Sequence, residues 1–188
     1  MLIKIIILAL VQGITEFLPI SSSGHLVFLQ EIMGIKEDQL ILDIVLHGGT
    51  LISIIFYFYN DLLKLFKGIT IKPNNKSVKK VIYVIIGIIP AGIAGIFFDE
   101  WIEEHLFSIV VVQIAWLMNG ANLILLDRIR DGNKPITPLK SLLIGIFQVF
   151  SLLPGISRSG TTISTGVYEG ISRKEAASFS FLMAIPIM

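Results

Sequence analysis

Apolar residues run unbroken from Ile5 to Val11, and then Gln12, Gly13, Thr15, Glu16 and Pro19 interrupt the segment before Ile20. A membrane span needs roughly 20 apolar residues, so Leu2 to Ile20 predicts a helix that enters the bilayer and stops inside it. The next apolar piece, Leu26 to Ile35, is too short to cross alone. Together they predict a re-entrant hairpin whose tip is the polar run QGITEFLPISSSGH, Gln12 to His25. Non-helical backbone at that depth survives only where protein or a water-filled cavity covers it.

Three stretches of full span length follow, Leu40 to Tyr59, Val81 to Phe98 and Leu106 to Leu126. The first two are separated by a predicted loop carrying Lys64, Lys67, Lys72, Lys76, Lys79 and Lys80, which the positive-inside rule makes cytoplasmic. Asp99 to His105 holds no Lys or Arg and is placed outside; Asp127 to Lys140, with Arg128, Arg130 and Lys134, is inside again. That alternation supports all three spans.

Composition agrees. The chain is 54% hydrophobic and 15% charged, with a mean hydropathy of +0.82, against about 25% charged in soluble domains. A net charge of +1, with lysines confined to loops, gives no reason to expect a nucleic-acid partner. The absence of cysteine excludes disulfides, thiolate metal sites and a cysteine nucleophile. Leu2 to Val11 has the apolarity of a signal-peptide core, but its flank is a single Lys4 and no small-residue cleavage site follows, so it is kept as mature sequence.

A second polar run, QVFSLLPGISRSGT from Gln148 to Thr161, repeats the first. Shifted by 136 positions, Lys4, Gln12, Ile20, Ser21, Ser23 and Gly24 fall on Lys140, Gln148, Ile156, Ser157, Ser159 and Gly160, while Ser22 falls on Arg158 and His25 on Thr161. An internal repeat is the expectation. Three crossings between the copies invert the second relative to the first, which brings both tips together near the bilayer midplane. The fold class expected is therefore an all-α polytopic membrane protein, a single membrane domain with repeat 1 over about 1–136 and an incomplete repeat 2 over about 137–188. A complete second copy would carry three further spans beyond Met188, so a truncated chain is expected.

An ionised group at bilayer depth costs roughly 2.5 to 3.5 kcal/mol, against about 0.3 to 0.6 returned by each Leu or Ile. Glu16 and Arg158 are thus expected to face each other, water or a ligand. Gly155, Ser157, Ser159, Gly160, Thr161 and Thr162 surround Arg158, and their backbone N–H groups and hydroxyls, with the guanidinium, suit a phosphate. The alternative is an arginine that snorkels among small residues used for helix packing. In the first run, Ser22 is a candidate nucleophile, or the residue that orients an attacking water, with Ser21 and Ser23 as flanking substrate-binding hydroxyls, and His25, three residues on, a candidate base. Gln12 and Glu16, spaced i and i+4, offer oxygens to a hard divalent cation, Mg²⁺ or Ca²⁺. Here the alternative is a serine-rich turn that caps a helix, with His25 a satisfied interior residue. Asp43 and His47 share a helical face in the first full span and could line the cavity, the alternative being that Asp43, near the outer end, is merely solvated, whereas Asn119 and Asn122 fit helix-to-helix hydrogen bonds.

QGITEFLPISSSGH and LPGISRSGTT resemble the two signature motifs of the undecaprenyl-diphosphate phosphatase family of the bacitracin-resistance type. HGGTLISIIFYF from His47 and RKEAASFSFLMAIP from Arg173 are similar to its flanking sequences. The resemblance implies a multi-pass hydrolase of the cell membrane that removes the terminal phosphate of a C55 polyprenyl diphosphate with a divalent cation, recycling the carrier lipid of cell-wall synthesis. By motif match it implies Glu16, Ser22, His25 and Arg158 as catalytic positions. Gln12 stands where the family has Glu or Gln, which weakens its cation ligation, and Ser23 replaces a frequent Thr. A flippase or secondary transporter on the same inverted repeat is the rival expectation, and an inactive structural subunit, which leaves Glu16 and Arg158 unexplained, is a third. Oligomeric state is not legible.

Overall fold

The computed structural model of the chain describes residues 1–35, 39–71 and 73–188; Lys72, one of the lysines assigned to the cytoplasmic side, lies outside them. The described residues form helices and turns only, in the order α1 (Leu2–Thr15), α2 (Ser22–Met33), α3 (Gln39–Tyr57), α4 (Tyr59–Thr70), α5 (Asn75–Leu106), α6 (Ile109–Asp127), α7 (Pro138–Gln148), α8 (Arg158–Tyr168) and α9 (Arg173–Ile187). α7 runs on as a tighter helical turn over Val149–Leu152. The expected all-helical membrane fold is what the chain adopts.

α5 and α6 are each long and apolar enough to cross a bilayer. α3 and α4, with a 68° bend between them, together form a further candidate, either a broken span or a re-entrant loop. At 1.5 Å per residue the 32 residues of α5 extend about 48 Å, well beyond the roughly 30 Å of hydrocarbon. Its overhanging ends carry Lys76, Lys79 and Lys80 at one side and Asp99, Glu100, Glu103 and Glu104 at the other. Ile82, Ile89, Ile93, Ile96 and Phe97 along its length stay exposed, a lipid-facing stripe.

Two expected loops prove to be helix. The lysine-rich stretch is α4 plus the first turns of α5, and Asp99 to His105 is the last two turns of α5. Hydropathy marks where the bilayer ends; a helix ends only where a cap or a breaker stops it. Neither acidic nor basic residues do that, and α5 starts where the Asn74 side chain accepts from the Ser77 amide at 2.8 Å.

The second hairpin packs tightly on α5. A Cβ on Gly145 would lie 2.2 Å from the Gly87 carbonyl oxygen and 3.0 Å from Pro90 Cδ, so the α5 and α7 backbones touch where only glycine fits. Ser141 in α7 donates to the Tyr83 carbonyl beside that crossing. Leu126, Ile144, Val167, Ile171, Phe179 and Met183 form the largest buried cluster, joining this hairpin to α6 and α9. Leu8, Leu26, Ile35 and Leu46 tie the first hairpin to α3.

Candidate active site

Both polar runs break their helices in the same way. α1 ends at Thr15, a turn covers Glu16 to Ile20, and Ser21 caps α2 by accepting from the Gly24 amide at 3.2 Å. In the second run Ser157 caps α8 by accepting from the Gly160 amide at 3.0 Å. Ser21–Ser23 and Ser157–Ser159 hydroxyl pairs each stand 3.2 Å apart. The capping role is thus realised in both polar runs. Ser21 adopts φ 66°, the one positive φ at a non-glycine among the described residues, a conformation that costs energy and persists only where its surroundings hold it.

The tips interlock. A Cβ on Gly24 would lie 3.0 Å from Gly155 Cα and 2.6 Å from Trp116 Nε1. Gly155, at φ +96°, is pressed against Val112 and Ala115 of α6. Asn119 of α6 donates to the Pro19 carbonyl at 2.8 Å, and Ser159 to the Leu18 carbonyl at 3.4 Å. Asn122 donates to Ser164 at 2.8 Å, so both asparagines do join elements.

This crossing brings Arg158 to Glu16, 142 positions away, with Nη2 donating to Oε1 at 2.5 Å. Glu16 Oε2 accepts from the Ser22 hydroxyl and, at 3.2 Å, from Gln12 Nε2. His47 Nε2 lies 3.8 Å from the same oxygen. With Glu16 and Arg158 only 7% and 17% exposed, the pair is a desolvated one, and each charge depends on the other.

Beside the pair opens a cavity of about 530 Å³. Glu16, Ser21, Ser22, Ser23, Ser157, Arg158 and Ser159 line it, together with Asp43 and His47 of α3 and Asp99 of α5. The other predicted site residues stand elsewhere. Gly155 and Gly160 are spent on the tip contact. Thr161 faces a second hollow of about 400 Å³ on the far side of α8, and Thr162 is buried against the Arg158 carbonyl and the Ser180 hydroxyl. Gln12 is buried next to Glu16 with its Oε1 lacking a hydrogen-bond partner.

His25 is not brought to the cavity. Its Nδ1 sits 2.7 Å from the Ser21 carbonyl, one turn back, and its ring packs on Trp116 at 4.9 Å. Ser22 therefore meets a carboxylate and not the expected imidazole. The imidazole that does reach the cavity belongs to His47, whose signal in the sequence was its i, i+4 spacing from Asp43 within an apolar span. Asp99 belongs to the stretch placed outside, and nothing local in the sequence marks it as cavity-lining.

Three carboxyl side chains and one guanidinium line the cavity, so an anionic headgroup would enter against a net negative charge. A divalent cation brought in on a diphosphate would offset it. Among the described residues no group of three or more acidic or histidine side chains could hold an ion by itself. Gln12 Oε1, beside Glu16, and Gln148 Oε1, of a residue on the cavity wall, are buried oxygens in want of a partner, and Glu16 keeps about one acceptor site beyond its three donors. These residues fit a cation that takes most of its ligands from phosphate, the usual habit of Mg²⁺.

Residues 5–188 match the family described as bacitracin resistance protein BacA. The chain is 40% identical over 193 residues to the undecaprenyl-diphosphatase of Hahella chejuensis, covering 99% of this chain and 72% of that one. It is 42% identical over 194 residues to that of Campylobacter curvus, covering 100% and 73%. With that of Halothermothrix orenii the identity is 39% over 188 residues, covering 98% and 71%.

Proposed function

Because the chain belongs to the bacitracin resistance protein BacA family, we propose that it is a membrane undecaprenyl-diphosphatase, which removes the terminal phosphate of undecaprenyl diphosphate and leaves the monophosphate carrier lipid. The observation that carries the reading is the joining of Arg158, Glu16 and Ser22 by direct hydrogen bonds at the wall of a single cavity.

Arg158 turns its guanidinium from Glu16 to the transferring phosphoryl group, with the Ser157 and Ser159 hydroxyls beside it. Ser22 Oγ attacks the terminal phosphorus, its proton passes to Glu16 Oε2, and the bond from phosphorus to the bridging oxygen breaks. A divalent cation, when bound, neutralises phosphate charge. Gln12 Oε1 and Gln148 Oε1 are the buried protein oxygens that would be ready to meet it. The product is a phosphoserine at Ser22 and a free lipid monophosphate.

The hairpins are read as an inverted repeat in one multi-pass domain of the cell membrane. In support, the 136-residue shift carries the first residues of α1 and α2 onto those of α7 and α8, and the cap of α2 onto that of α8. Three spans, α3 bent into α4, α5 and α6, lie between the copies. The flippase alternative draws nothing from the relatives named above, whose names are those of a diphosphatase.

The test is phosphate release from undecaprenyl diphosphate by purified protein in detergent, where no second compartment exists. Wild type should release phosphate, chelator and Arg158→Ala should each abolish it, and acid quenching should trap phosphate on Ser22. Near-normal turnover by Ser22→Ala would exclude the serine as nucleophile.

A further inference from the structure

We propose that His47 seats the water that completes the hydrolysis, between its Nε2 and the carboxyl of Glu16; the inference rests on the phosphatase reading above. The ring is held at its other nitrogen. His47 Nδ1 lies 2.8 Å from the Asp43 carbonyl oxygen, one turn back along α3, and because a carbonyl only accepts, Nδ1 carries the hydrogen. In the neutral ring that leaves the lone pair on Nε2, on the cavity wall 3.8 Å from Glu16 Oε2.

Two acceptors this close repel unless a donor stands between them. Water has two hydrogens to give, one to each. The carboxylate has room for it, since Arg158, Ser22 and Gln12 fill three of its roughly four acceptor sites. A water held by both hydrogens turns its own lone pairs outward, toward the group carried by Ser22 on the same carboxylate. His25, facing Trp116, has no such place.

The water oxygen bonds to the phosphorus of phosphorylated Ser22 as the bond from phosphorus to Oγ breaks. Glu16 returns its proton to Oγ. The proton lost by the water goes to His47 Nε2 and on to solvent through the cavity, and inorganic phosphate leaves.

The test compares wild type, His47→Ala and His47→Gln in detergent on undecaprenyl diphosphate, with methanol as a competing nucleophile. Methanol has one hydroxyl hydrogen, so a seat built from two acceptors selects against it. His47→Ala should lower kcat about 10- to 100-fold with KM falling in step, because phosphorylation of Ser22 and hence kcat/KM is untouched, and raise the ratio of methyl phosphate to inorganic phosphate severalfold. His47→Gln, whose amide oxygen can accept in the same region, should regain most of both. If the alanine variant does not stay folded by size exclusion, His47→Phe keeps the ring without the acceptor and replaces it. Unchanged kcat, a fall in kcat with an unchanged methanol ratio, or no recovery in His47→Gln would overturn the proposal. A wild type that releases no phosphate counts against the phosphatase reading itself, and the seat falls with it.

Discussion

Replacing Arg158 by alanine should damage the protein twice, and the two losses can be separated. The guanidinium is the one cation within bonding distance of Glu16 among the described residues unless His47 is protonated, and Glu16 is 7% exposed. Removing one partner of a buried pair costs about 3 to 5 kcal/mol, mostly the penalty of stranding the other charge. Because the pair borders an open cavity that admits water, the lower end applies, about 3 kcal/mol, or roughly 150-fold in the folding equilibrium. Neutralising the survivor should restore most of it, so Arg158→Met with Glu16→Gln should unfold within about 1 kcal/mol of wild type. Activity should not follow. A guanidinium stabilising a transferring phosphoryl group is worth about 10³ to 10⁵ in kcat, and both the single and the double variant should lose at least that. The assays are reversible denaturant unfolding in mild detergent and phosphate release from the lipid diphosphate. A double variant no more stable than Arg158→Ala, or a single variant that retains a tenth of wild-type turnover, would refute the reasoning.

Gly24→Ala places a methyl 2.6 Å from Trp116 Nε1 and 3.0 Å from Gly155 Cα; it should destabilise by about 1 to 3 kcal/mol through separation of the tips, read as a lower melting temperature and a matching loss of activity. Gln12→Glu adds a carboxylate where an amide oxygen lacks a partner, and it should lower the Mg²⁺ concentration for half-maximal phosphate release several-fold; an unchanged cation requirement would exclude Gln12 from that role.

Much of the fold was legible because the bilayer permits so few solutions. A Gln, a Glu, a Pro and three serines inside an apolar run do not make a lipid-facing helix, so the break at Glu16 to Ile20 could be read before any coordinates. The likeness of the two polar runs was legible for a related reason: Ser21 and Ser157 do the same capping at matching positions, each accepting from the glycine three residues on. Helix ends were less so. Charged residues told where the membrane stops, and α5 runs straight through that boundary into Glu103 and Glu104.

From the order of residues alone came the solvent of the protein, the two broken hairpins and the chemistry each could carry, since transfer costs and cap preferences are properties of single residues and short runs. Partnership was decided only in three dimensions. Glu16 and Arg158 needed the tip crossing at Gly24 and Gly155 to meet. The two imidazoles were sorted differently, Trp116 far along the chain drawing His25 aside and the α3 backbone one turn back aiming His47 at a carboxylate on another element. The direction of a side chain is set by whatever packs against it, and for Glu16, Arg158 and His25 that partner lies dozens of positions away.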